Sequence, residues 1–209
     1  MHPDDLAMPS GWGRIAVHYD IDKWMSCPPE FPPGYDVRSW ARTYADAFCH
    51  RPGLTPTDDL VSGLAARLAE IHADAYGGRR IECHLCLIYQ PDPLVSPLPV
   101  YLSAWESRGD RDEALRLLSH ADNPAAIQPP YITEFTADRL GTGLKVLYYA
   151  RHPRSESTVY AGLNYAWRMP DLATDLRVFV TTTDLGRLEQ AMPDIDELMN
   201  VTTIVPRVA

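Results

Sequence analysis

Three strand-like runs between Gly143 and Thr183 constrain this chain more than any other feature: GLKVLYYAR, TVYAGLNYAW and LRVFVTTT. The breaks between them, HPRSES and RMPDLATD, are short. Such connections join antiparallel neighbours, because a parallel crossover needs about a dozen residues or more. Both faces of the resulting meander are apolar. Leu144, Val146 and Tyr148 alternate with Leu147 and Tyr149, and Leu176, Val178 and Val180 alternate with Phe179. An antiparallel sheet with one wet face carries polar residues at every second place. This one demands cover on both sides.

The rest of the chain supplies that cover. Gly13 to Tyr19 reads as a strand with Ile15, Val17 and Tyr19 on one face, followed by a stiff loop, CPPEFPPG. Asp36 then caps a helix in which Trp40, Tyr44 and Phe48 recur every four residues, and Pro52 ends it. Thr57 or Asp58 opens a second helix with an apolar stripe of Leu60, Leu64, Leu68, Ile71 and Ala75, closed by Gly77-Gly78. A strand from Ile81 to Tyr89, a strand from Val100 to Glu106, a short helix from Asp110 to His120 and a strand near Tyr131 to Phe135 precede the meander. After Thr183 a helix runs to Pro193 and restarts, which reads as two short helices, and VTTIV forms a last strand. Strands outnumber helices and come in blocks. This predicts an α+β protein with a single, mainly antiparallel β-sheet covered by helices on both faces. No composition shift divides the chain, so one domain over 1–209 is expected.

The 209 residues carry a net charge of −9, and of 19 basic residues only Lys23 and Lys145 are lysines. That bias, with many alanines and prolines, is the signature of a GC-rich genome. The densest basic spots, Arg79-Arg80 and Arg151 to Arg154, are too small for the basic face that nucleic acid or an anionic membrane requires. The N-terminal MHPDDLAMPSG is acidic and lacks the apolar core of a signal peptide. No apolar run approaches the roughly 20 residues that cross a bilayer. The expected compartment is the cytoplasm, with the four cysteines reduced.

Candidate chemistry is thin. Cys83-His84-Leu85-Cys86 is formally a CxxC, but mid-strand alternation sends Cys83 and Cys86 to opposite faces, so a buried, inert Cys83 and no metal site are expected, with Cys49-His50 on a largely apolar helix. His18 and Asp20 lie two apart at a strand end, where a solvated pair is the plain reading; a nucleophile such as Ser10 would have to come from the fold. GTGLK lacks the spacing and the following helix of a phosphate loop and reads as a hairpin turn. The PxxP-like Pro29 to Pro32 has no basic flank and reads as loop. No catalytic residue and no cofactor is implied. Trp105, Tyr148, Tyr149, Tyr160, Tyr165 and Trp167 all fall on strands; as packing they fill a core, and as a cavity lining Trp105, Tyr165 and Trp167 are the ligand-binding candidates.

The C-terminal block VYAGLNYAWRMPDLATDLRVFVTTTDLGRLEQAMPDIDELMNVTTIV resembles the end of PsbP/Mog1-like proteins, with a strand ending in an aromatic pair, a polar turn, a V-F-V-T-T-T strand, an amphipathic helix and a closing strand. The resemblance covers about the last quarter of the chain. It implies an α+β domain acting as a non-enzymatic binding or adaptor module, with an unknown protein or a small apolar ligand as partner. The element order is also similar to the helix-grip (START/Bet v 1-like) plan, which implies a small-molecule cavity or a cyclase-like enzyme. The final helix, broken at Pro193, departs from that plan.

Overall fold

The computed structural model describes residues 12–50, 55–77, 82–152 and 155–206. Ser10, Pro52, Gly78, Arg79, Arg80, Ile81 and Arg154 lie outside them. In chain order the elements are β1 (Trp12–Val17), β2 (Trp24–Cys27), α1 (Val37–Cys49), α2 (Asp58–Tyr76), β3 (Leu85–Tyr89), β4 (Leu98–Glu106), α3 (Arg111–Ser119), β5 (Tyr131–Ala137), β6 (Gly141–His152), β7 (Ser155–Met169), β8 (Thr174–Thr182), α4 (Leu185–Asn200) and β9 (Thr202–Pro206). The chain is an α+β protein with antiparallel pairing, and it falls into two compact units. One spans Asp20–Tyr101. The other is built on Leu102 onward together with the first strand. Among the described residues no helix is long and apolar enough to cross a membrane.

In the Asp20–Tyr101 unit the helix caps are those the sequence announces. Asp36 accepts from the Ser39 amide and Thr57 from the Leu60 amide, each satisfying an orphan donor of a first turn. α1 and α2 pack on each other, and Trp40, Phe48, Leu64, Leu68 and Ile71 are buried. β2 and β3 pair antiparallel, Trp24 opposite Tyr89 and Cys27 opposite Cys86. The strand expected from Ile81 begins only at Leu85 among the described residues, a correction with a local cause. Pro28 and Pro29 follow Cys27 and offer no N–H, so the ladder cannot continue. At its open end the Tyr76 hydroxyl stands in, accepting from the Cys86 amide at 3.0 Å and donating to the Cys27 carbonyl at 3.1 Å.

In the other unit the meander is as the sequence reads. β5 pairs with β6, β6 with β7 and β7 with β8, all antiparallel, and β5 is the outer strand. Register puts Leu144, Val146, Tyr148, Asn164, Arg168, Asp175 and Arg177 on one face. Lys145, Leu147, Tyr149, Tyr165, Trp167, Leu176 and Val178 occupy the other. α3 packs on β6, β7 and β8, with Ala121 among Val146, Tyr148 and Ala150. Each face has a glycine under an aromatic ring. A Cβ on Gly143 would run into the Ala166 carbonyl and the Trp167 indole, and one on Gly162 into the Tyr148 ring.

Two further expectations are corrected. β1 pairs with β9 as a separate two-stranded ribbon, Ile15 opposite Ile204, so the strands do not all join a single sheet. And α4 passes through Pro193 unbroken. Leu188, Ala191, Ile195, Leu198 and Met199 form one buried stripe across the proline, which is itself exposed. Tertiary burial of that stripe outweighs the single helical hydrogen bond that proline removes.

Candidate functional site

An open groove of about 380 Å³ runs beside β5, between β6–β7 and the start of α4. Tyr131, Leu147, Tyr149, Leu185, Leu188 and Met192 line it together with Glu189, and polar and apolar surface contribute about equally. Tyr131 is 59% exposed and Leu185 40%. β5 is exposed along most of its length, including Ile132, Thr133 and Glu134. Apolar side chains in water next to an outer strand are the two ingredients of a strand-addition surface: free main-chain groups and pockets for alternate side chains.

On the same face, Lys145 Nζ lies 2.7 and 2.6 Å from the two carboxylate oxygens of Asp196 on α4. The Tyr165 hydroxyl donates to the same carboxylate at 2.6 Å. The Lys145 ammonium also sits 5.7 Å from the Phe135 ring centre and 5.5 Å from that of Tyr165. Burial and the Asp196 charge push the Tyr165 phenol well above its ordinary pKa, so it remains a donor. Every group in this trio is used by another member. It ties α4 to the sheet and leaves no free acid or base.

Of the aromatic candidates, Tyr165 and Trp167 come together: their rings stack 5.8 Å apart at 2°. Both are fully buried, Phe135 packs edge-on against each, and the Trp167 indole N–H donates to the Gly141 carbonyl at 3.1 Å. Trp105 is half-buried on β4. Sequence reasoning missed Lys145 and Asp196. The available signal was a lysine inside an apolar strand; its partner lies too far along the chain to be paired by pattern.

The cysteines need correction. Cys83 precedes β3 and is half-buried, so strand alternation does not govern it. Burial first, and the Cys83 and Cys86 thiols after it, raise the pKa of the Tyr76 and Tyr101 phenols. The adjacent Cys27 thiol, then burial, push the Cys86 thiol well up, which keeps it protonated and a poor nucleophile. Among the described residues no group of three or more His, Cys, Asp or Glu is arranged to hold a metal. His18 is exposed just beyond β1, and the Asp20 carboxylate accepts from the Asp22 amide, a turn-stabilising bond. GTGLK forms the entry to β6, with Gly141 at φ 75°.

No family model matches this chain, and comparison with curated proteins finds no similar sequence.

Proposed function

We propose that this protein is a non-enzymatic binding or adaptor module that takes an extended segment of a partner protein along β5. The observation that carries the reading is the exposed outer strand beside a groove in which Tyr131 and Leu185 face water. The partner strand this surface suits is apolar on alternate residues and basic between them, because Glu189 lines the groove and the chain is acidic. Stacking of Tyr165 on Trp167 inside a filled core favours this reading over an aromatic-lined, helix-grip cavity. The antiparallel meander followed by an amphipathic helix suits the PsbP/Mog1-like resemblance. A sheet covered on both faces is supported by α3 against Val146 and Tyr148, and by Asp196 of α4 bonded to Lys145 and Tyr165 across the sheet.

Native mass spectrometry of the protein from its own host, alongside a Tyr131→Glu/Leu185→Glu variant, tests this. A stoichiometric protein partner retained by the wild type and lost from the folded variant is the expected result. A small molecule retained by both, or a partner indifferent to the substitutions, overturns it.

A further inference from the structure

Strand register places two of the four cysteines directly opposite each other, Cys27 on β2 and Cys86 on β3. Opposite residues of an antiparallel pair carry their side chains on the same face, with Cα atoms about 4.5–5.5 Å apart. A disulfide spans Cα separations of about 4.4–6.8 Å, a range that includes an opposite pair. Both side chains are fully buried, and the two thiols hydrogen-bond to each other. The Tyr76 hydroxyl occupies the main-chain position between the Cys86 amide and the Cys27 carbonyl, at 3.0 and 3.1 Å. It lies in line with the ladder and leaves the sulfurs, on the sheet face, to each other. Cys49 ends α1 and Cys83 precedes β3, so both lie outside the ladder.

Burial alone would make such a pair inert. Its place in the ladder does not. β2 is an outer strand of four residues, and Cys27 is its last. Pro28 and Pro29 cannot extend the pairing, so Cys27 and Cys86 stand at the end that opens first. The closing bonds there are made by one phenol rather than by a further pair of strand residues. Terminal pairs of this kind open at free energies well below that of global unfolding. Opening puts both sulfurs in water, and closing returns them to contact. The Cys86 thiol, held protonated while buried, reaches its thiolate form in the open state.

We propose that Cys27 and Cys86 are a redox site that closes to a reversible cross-strand disulfide when the protein meets hydrogen peroxide. In the open state the thiolate of Cys27, the last residue of the outer strand, attacks one peroxide oxygen. The O–O bond breaks and a sulfenic acid forms on Cys27. The departing hydroxide takes up the proton that the thiol released and leaves as water. On closing, the Cys86 sulfur displaces the hydroxyl of that sulfenic acid, which departs with the Cys86 proton as a second water. Two thiols are oxidised and one peroxide is reduced to two waters. A dithiol reductant reverses the step by exchange and is itself closed to a disulfide. The product carries neither charge nor donor, which suits a buried place. It ties the end of β2 to β3 across a segment that contains α1 and α2, and so restricts the unfolded chain. The pair belongs to the Asp20–Tyr101 unit and rests on nothing proposed for β5.

Peroxide treatment of the folded protein, followed by alkylation and peptide mapping, tests this. Two of the four cysteines are expected to become resistant to alkylation, joined in one Cys27–Cys86 peptide, and to return with dithiothreitol. The oxidised protein is expected to melt above the reduced one. Cys83→Ser removes the half-buried thiol nearest in sequence and is expected to form the same bond to the same extent, whereas Cys27→Ser forms none. Continued alkylation of all four cysteines after peroxide overturns the site. So does a bond that forms only in denaturant, a bond to Cys83 or Cys49, or an oxidised protein that melts below the reduced one.

Discussion

The two faces of one meander handle a buried cation in opposite ways. On one, Lys145 has Asp196 at hydrogen-bond distance through both oxygens, and Tyr165 completes the carboxylate's shell. On the other, Arg177 donates to an amide oxygen and lies over the Phe179 ring, and no carboxylate among the described residues pairs with it. The difference is not one of residue type, because Arg168, on the same face as Arg177, is fully provided for. Its Nε and Nη2 meet Asp175 at 2.7 and 2.8 Å, and its remaining donors reach the Gly109 and Arg108 carbonyls. Its hydrogen bonds with Asp175 raise the Arg168 pKa, whereas burial lowers that of Arg177. Two arginines on neighbouring strands are therefore held in different ways, one in a buried ion pair and the other by a neutral amide and an aromatic ring.

Asp175→Ala breaks the satisfied side of this comparison most severely. The Arg168–Asp175 side chains are only 10% and 7% exposed. Removing one partner of a pair this buried strands the other charge and is expected to cost about 3–5 kcal/mol in chemical denaturation. Ser107, which donates to Asp175 at 2.9 Å, loses its acceptor too. A denaturation midpoint within error of the wild type would contradict the reading of Arg168 as a structural pair. Asp196→Ala is the next largest. Lys145 and Asp196 are 20% and 32% exposed, so water screens part of the loss, but the fully buried Tyr165 hydroxyl is orphaned as well. About 2–4 kcal/mol is expected, below a fully buried pair. Intact β5-groove binding in that variant would separate anchoring of α4 from partner recognition.

Gly162→Ala sharpens the contrast from the other side. Its new methyl group collides with the Tyr148 ring, which must swing away from Asn164 and His120. Overpacking of this kind is expected to cost about 1–3 kcal/mol. The Lys145–Asp196 pair on the far face should stay intact. A denaturation midpoint within error of the wild type would mean that the Tyr148 ring moves aside without cost.

How far the sequence reveals these arrangements depends on the range of the interactions behind them. The cap at Asp36, the helix start at Thr57 or Asp58, the alternation through Val146 and Val178, and the short turns are local, and they read directly. The start of β3 does not. IECHLCLIY alternates well enough to be a strand throughout, but its partner ends at Cys27 before two prolines, and Tyr76 closes the ladder from a helix. Pro193 misleads in the other direction, because the stripe from Leu188 to Met199 decides the helix. Arg177 stands between Leu176 and Val178 in a run that alternates cleanly. Only register, which puts Asn164 on the same face, shows that the two polar side chains meet.

The smallest expected effect is in acid, and it reports on the same uncompensated charge. Burial first, and Arg177 second, depress the folded-state pKa of His120. The facing groups are Arg177 from β8 and Tyr148 from β6, with Asp112, Glu113, Arg116 and Asp122 bordering the same groove. A histidine whose pKa is lowered on folding contributes stability that is present above its unfolded value, about 6.5, and lost as pH falls below it, because the unfolded chain then binds the proton first. His72 and His84 are shifted the same way, so only a difference isolates His120. Asn tolerates the left-handed backbone that His120 adopts. His120→Asn should therefore keep the fold and make the denaturation midpoint fall less steeply than in the wild type below about pH 6.5. Wild-type and His120→Asn profiles that run parallel from neutral pH into acid would mean that His120 does not contribute to the loss of stability in acid.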